Sequence, residues 1–145
     1  SSRYDRDGLS GREKQGLAAF NEAGCASCHS DTVPTNAPGA IFTNYGYANI
    51  GIPENPLLTN AETDLGLGGY LQDATQDGKF KIPTLRNIAR TAPYSHNGYF
   101  STLEDMVRYH ADRGGLVPEV EETLISQADI LTVAHNHMIK HPNPH

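Results

Sequence analysis

Apolar residues are distributed unevenly along this chain. Ser10-Gly11-Arg12-Glu13 has the S-x-x-E spacing of a capping box, and Leu17, Ala18 and Phe20 follow it as an apolar side, which predicts a helix from Ser10. Gly24 predicts its end. Residues 30–80 hold Pro34, Pro38, Pro53 and Pro56 among many Gly and Asn, and they show no sustained helical period. A structureless stretch of that length is uncommon in a compact domain unless it wraps something. Phe42, Tyr45, Tyr47, Ile50, Ile52, Leu57 and Leu58 are the apolar positions available for such a wrap, or for ordinary loop anchoring.

Leu85, Ile88 and Ala89 predict a short helix before Pro93, and Ser101-Thr102-Leu103-Glu104 reads as a second capping box. That box opens a helix to about Asp112, closed by Gly114-Gly115. Val120, Leu124, Ala128, Leu131, Ala134 and Met138 lie near helical spacing from about Glu119 to Lys140. Residues 1–9 and 141–145 read as frayed tails, the second because Pro142 and Pro144 cannot continue a helix. With no internal repeat and no strong strand alternation, the expectation is one all-α domain over residues 1–145, with long loops.

Chemistry gives those loops a purpose. Cys25-Ala26-Ser27-Cys28-His29 is a C-x-x-C-H run, the attachment signature of a c-type haem. Two thiols spaced this way can form thioether links to the haem vinyl groups, and the adjacent His29 can ligate the iron. Cys25 and Cys28 are the only cysteines in the chain. A zinc site would need two further ligands at suitable spacing, and no second cysteine pair exists. A thioredoxin-like pair would want a βαβ setting, which the following residues do not offer. A haem would supply much of the core and suits a chain with no Trp and four Phe.

The formal charge of −6 argues against nucleic acid and is compatible with docking to a basic redox protein. No apolar run approaches the length of a membrane span. The chain opens Ser1-Ser2-Arg3-Tyr4-Asp5 without a signal-peptide pattern. Because c-type haem is normally attached outside the cytoplasm, a processed or truncated start and a periplasmic or otherwise extracytoplasmic location are expected.

The residue on the second iron face decides between electron transfer and ligand chemistry. Met106 and His110 are four apart and so share a helix face. Core packing is the competing reading for Met106 and a surface position for His110. His135, His137 and Met138 are further candidates, although the terminal helix more naturally packs on the first one. On residues alone Met106 and His110 are nearly balanced.

Gly78-Lys79-Phe80-Lys81-Ile82-Pro83-Thr84-Leu85-Arg86-Asn87-Ile88 runs on into Thr91-Ala92-Pro93-Tyr94-Ser95-His96-Asn97-Gly98. With Thr102-Leu103-Glu104-Asp105-Met106-Val107-Arg108-Tyr109-His110 and the upstream Asn49-Ile50-Gly51-Ile52-Pro53, this closely resembles the bacterial di-haem cytochrome c peroxidase family, which includes the methylamine dehydrogenase maturation enzyme. The resemblance covers about residues 10–140 and lies with the C-terminal, electron-relay haem domain. It implies a cytochrome c-like fold. It also implies a distal ligand fourteen residues after His96, where this chain has His110; typical members carry Met or Tyr there. Bis-His ligation by His29 and His110 is therefore expected, with Met106 as the alternative and a lower potential than His/Met would give.

The resemblance further implies that Arg86 lies near the haem, where a guanidinium could pair with a propionate, and that His96 lies near an inter-domain route. Thr91 and Pro93 match main-chain calcium ligands, but the third ligand would come from a domain not present in these 145 residues. The expected function is that of a mono-haem c-type cytochrome carrying electrons to and from a redox partner. The alternatives are the C-terminal half of a di-haem peroxidase reducing hydrogen peroxide, with a second haem domain as partner, and a haem-based ligand sensor.

Overall fold

The computed structural model describes residues 2–59 and 62–114. The terminal helix expected over about 119–140, with His135, His137 and Met138, and the tail at 141–145 lie outside the described residues. Helix α1 spans Gly11–Glu22 and starts as its sequence dictates. The Ser10 hydroxyl accepts from the Glu13 N–H at 3.3 Å, and the Glu13 carboxylate accepts from the Ser10 N–H at 2.5 Å. Gly24 follows the helix in the left-handed region at φ 75°, a conformation that costs glycine little. The buried stripe of α1 is Glu13, Gly16 and Ala19, with Leu17 and Phe20 half-buried and Ala18 exposed. Small residues at this spacing let the chain lie close against the helix.

Residues 2–9 are tied to the body of the protein rather than frayed. They form a 3-10 turn at Tyr4–Arg6. Arg3 pairs with the buried Glu13 at 3.1 Å, and Asp5 pairs with Arg86 at 2.6 Å.

The 30–80 stretch is more ordered than its composition suggests. Strand β1, Tyr47–Ala48, pairs antiparallel with β2, Phe80–Lys81, in the register Tyr47 opposite Lys81 and Ala48 opposite Phe80. A five-residue helix α2, Leu67–Leu71, lies between them in sequence. It packs so tightly that a Cβ on Gly68 would sit 2.6 Å from the Asp77 backbone nitrogen. The structure is thus helix-rich with little strand, and the short strand pair departs from the all-α expectation.

The expected short helix before Pro93 is a 3-10 turn at Ile88–Arg90. Helix α3 spans Leu103–Gly114. Its cap is Thr102, whose hydroxyl accepts from the Asp105 N–H at 3.1 Å and donates to the Asp105 carboxylate at 2.6 Å. The capping residue is therefore one position later than the Ser101/Glu104 pairing predicted. Tyr94, Phe100 and Leu103 form the core cluster, with Ile52, Ile88, Met106 and Tyr109 packed against it. Among the described residues no large side chain is less than 2% exposed, so the polypeptide by itself builds a thin core. No described helix is long and apolar enough to cross a membrane.

Candidate haem site

The C-x-x-C-H run folds into a tight turn immediately after α1. Gly24 reverses the chain, Cys25–Ser27 form a 3-10 turn, and the N–H groups of Cys28 and His29 both donate to the Cys25 carbonyl, at 3.2 and 2.8 Å. Such winding keeps both thiols and the imidazole within one short turn. Cys25 and Cys28 are unbridged and half-buried. Burial pushes the Cys25 thiol above its usual pKa.

A second segment, residues 40–44, grips this turn. The Asn44 N–H donates to the Cys28 carbonyl at 2.9 Å, and the Asn44 side-chain amide donates to the Ser27 carbonyl at 3.2 Å. His29 Nδ1 lies 3.0 Å from the Phe42 carbonyl oxygen. A carbonyl only accepts, so Nδ1 donates its proton to Phe42 O, and the ring has a second main-chain hydrogen-bond partner in the Pro83 carbonyl. Burial lowers the His29 pKa, and the charge of His110 adds to that shift, while the Phe42 and Pro83 carbonyls oppose it.

His110 stands on α3 with the same internal arrangement. Its Nδ1 is 2.9 Å from the carbonyl of Met106, one helical turn earlier, and so donates there. Met106, the alternative ligand, is half-buried and packs against Tyr94, Phe100 and Leu103. It occupies the core role that methionine usually has.

These residues fit a covalently attached haem. Two free thiols lie on one turn, two imidazoles are each held through Nδ1 by a main-chain carbonyl, and the thin protein core leaves apolar side chains without protein cover. Of the apolar positions in the 42–58 stretch, Phe42, Ile50 and Ile52 are partly covered. Tyr45, Tyr47, Leu57 and Leu58 remain exposed, Leu57 by 84%.

Within the protein, Arg86 is bound by Asp5, Ser2 and Ala40. Its guanidinium donates to both Asp5 carboxylate oxygens, at 3.0 and 2.6 Å, to the Ser2 hydroxyl at 2.9 Å, and through Nε to the Ala40 carbonyl at 2.7 Å. Nη2 makes a further close contact with Ala40 O. These five contacts match the five N–H donors of an arginine. The sequence offered no sign of Asp5 as the partner, because 81 positions separate the two residues.

His96 is exposed and stacks on Phe80 with ring centroids 3.6 Å apart and planes 6° from parallel. Burial against that ring lowers its pKa, and Asp64 opposes the shift. Thr91 and Pro93 flank a cis Ala92–Pro93 bond, and the Thr91 hydroxyl donates to the Ile88 carbonyl at 3.0 Å. Tyr109 was not singled out from the sequence. Its hydroxyl reaches the carbonyls of Ile50 at 3.0 Å and Gly51 at 2.5 Å, docking α3 on the N-I-G-x-P turn.

No protein-family model matches the chain. Among curated proteins it is 33% identical over 133 residues to the methylamine utilization protein MauG of Paracoccus denitrificans, covering 83% of this chain and 34% of that protein. It is 30% identical over 136 residues to the cytochrome-c peroxidase IdrP1 of a Pseudomonas species, covering 77% of this chain and 34% of that protein. Among solved structures it superposes on the diheme peroxidase BthA of Burkholderia thailandensis with a TM-score of 0.62 and 28% identity, covering 86% of this chain and 38% of that one. The chain spans about a third of the length of the curated relatives it matches. Over that third, it belongs to the di-haem cytochrome c peroxidase and MauG family.

Proposed function

We propose that this chain is the electron-relay haem portion of a cytochrome c peroxidase-type enzyme, acting outside the cytoplasm, with Cys25 and Cys28 as attachment points and His29 and His110 as the two axial ligands. The observation that carries this reading is the matched pair of imidazoles. Each has Nδ1 on a main-chain carbonyl, 3.0 Å for His29 and 2.9 Å for His110, so that Nε2 is the nitrogen each would offer to iron. When bound, the haem would supply a one-electron ferric/ferrous couple.

The protein's part is to orient both imidazoles through their Nδ1 hydrogen bonds. Burial around His29 disfavours its protonated form and so favours a ligating nitrogen at neutral pH. The Phe42 carbonyl fixes the ring and raises its basicity, which favours the ferric state. If His29 and His110 both held the iron, no coordination position would be left for a substrate, which would suit electron transfer better than peroxide cleavage.

The named relatives are peroxidases and MauG, and each is about three times as long as the matching region. That supports a portion of a larger enzyme over a free-standing electron carrier. A second haem domain would then be the electron-transfer partner, and calcium held through Thr91 and Pro93 would depend on that domain for its third ligand.

Electron paramagnetic resonance and absorption spectra of the haem-loaded ferric protein test the ligation. A low-spin signal without a sulfur-to-iron charge-transfer band is expected. High-spin iron in the unmodified protein would overturn the relay reading, and a sulfur band would transfer the ligand role to Met106. Haem counting by mass spectrometry on the product of the complete gene tests the larger-enzyme reading, with two haems expected and one contradicting it.

A further inference from the structure

The segment that orients His29 is itself held from behind, residue by residue. The Ala40 carbonyl is bound by Arg86, and the Ile41 carbonyl accepts from the Thr84 hydroxyl. The Phe42 ring lies between Tyr4, at 5.0 Å, and Phe20, at 6.4 Å, with the Arg86 guanidinium 5.4 Å from its centre. Thr43, buried, donates to the Ile82 carbonyl at 2.7 Å, and Asn44 binds the haem-attachment turn. Phe42 holds a left-handed backbone, φ 54°, which a bulky non-glycine residue adopts only when its surroundings enforce it.

Arg86 stands at the centre of that enforcement. It is anchored in turn by Asp5, whose side chain is 12% exposed. Gly39 shows how close the fit is, since a Cβ there would lie 2.6 Å from Asp5 Oδ1 and 3.2 Å from Arg86 Nη2.

We propose that the Asp5–Arg86 ion pair is a positioning device for His29, which fixes the 40–42 turn so that the Phe42 carbonyl holds the imidazole in its ligating orientation and tunes its donation to the haem iron. The proposal rests on His29 being an axial ligand. Its physical basis is the chain of contacts from Asp5 to Arg86, from Arg86 to Ala40 O and the Phe42 ring, and from Phe42 O to His29 Nδ1. A firm Nδ1–H bond raises imidazole basicity, so loosening the turn reduces donation and shifts the potential upward.

The test compares haem-loaded full chains carrying Asp5→Asn, Arg86→Lys or Arg86→Gln with an Arg3→Gln control. Arg3→Gln removes the other N-terminal ion pair, Arg3–Glu13, without touching residues 40–42. Midpoint potential, ferric g-values and thermal unfolding are read for each. Arg86→Gln is expected to raise the potential and change the g-values while the iron stays low-spin. Asp5→Asn should do so by a smaller shift, and Arg86→Lys should recover part of the loss. Arg3→Gln should lower the unfolding temperature and leave potential and g-values unmoved.

If all four variants lose stability but keep the wild-type potential and g-values, the pair is merely structural and the proposal falls. Where Arg86→Gln does not fold, the milder Asp5→Asn decides on the same criteria. A wild-type spectrum lacking imidazole ligation from His29 would instead remove the ligation reading and the proposal together.

Discussion

The two imidazoles are each held through Nδ1 but owe their positions to different parts of the chain. His29 is oriented by Phe42, thirteen residues away, on a turn that Arg86 and Thr84 clamp from more than forty residues away. His110 is oriented by Met106, four residues earlier on its own helix, and is exposed. The His29 side is thus a tertiary construction and the His110 side a local one. A ligand held by the whole fold should stay on the iron under perturbation, whereas a ligand held by one helical turn moves whenever that helix moves. This difference suits a relay whose attachment face is fixed and whose opposite face can be adjusted by its surroundings.

Removing either imidazole gives the largest expected effects, and the two should differ in kind. His110→Ala should leave the haem covalently attached and convert the iron fully to a high-spin form that takes up added imidazole. His29→Ala should cut haem retention, because the ring shares a turn with both thiols. Absorption spectra and haem staining of denatured protein separate the outcomes, and an unchanged His110→Ala spectrum would remove His110 from the site. Met106→Leu should keep the wild-type spin state and cost less than about 1.5 kcal/mol in urea unfolding, as volume-conserving core swaps do.

Next in size are changes in the two supports. Leu103→Ala, in the cluster under α3, should cost about 3 kcal/mol in urea unfolding. It should also make His110 easier to displace by added imidazole. Thr43→Val would strip the Ile82 carbonyl and the Tyr45 N–H of their shared hydroxyl partner in a buried setting, at about 2 kcal/mol. Its spectroscopic effect should appear on the His29 side, as altered g-values without easier displacement of His110. Equal displacement of His110 in both variants would dissolve the distinction between the two supports.

How much of this was readable in the sequence depended on the range of each interaction. The Ser10–Glu13 box, Gly24 and the C-x-x-C-H turn are complete within a few residues and were legible. The start of α3 was misplaced by one because Ser101 and Thr102 both offer a hydroxyl with an acid three residues on, and local spacing does not choose between them. The β1–β2 pair is two residues long, too short for alternation to show. Helix α2 hides in Leu67-Gly68-Gly69-Tyr70-Leu71, where glycine argues against a helix and tight packing on Asp77 overrides it. His110 was singled out with Met106 from their shared helix face and preferred through a family spacing, and Arg86 was singled out without its protein partner. The motif residue was visible, but the acid 81 positions upstream was not.

Acid should weaken the support behind His29 through the Asp5–Arg86 pair. The Arg86 guanidinium, with help from Ser2, holds the Asp5 carboxyl down at about 2 from an ordinary 3.8. The folded value lies below the unfolded one, so the ion pair's contribution is fully present above pH 3.8 and is lost as pH falls toward 2. An acid titration followed by unfolding temperature should therefore show a loss in that window which Asp5→Asn abolishes. A wild-type and an Asp5→Asn profile of the same shape would show that other carboxylates dominate.

The smallest expected effect is on the opposite face. Tyr109 shares α3 with His110, and its hydroxyl spans the Ile50 and Gly51 carbonyls at 3.0 and 2.5 Å. Its ring packs on Phe100 with centroids 5.1 Å apart. Tyr109→Phe keeps the ring and removes the hydroxyl, so stability should fall by about 1 kcal/mol, the net worth of one such hydrogen bond. If α3 is seated mainly by its local cap and the Leu103 cluster, His110 should stay on the iron and the spin state should be unchanged. A high-spin fraction in Tyr109→Phe would mean that the His110 side, too, depends on a contact across 58 residues. The contrast between a globally held and a locally held ligand would then narrow to a difference of degree.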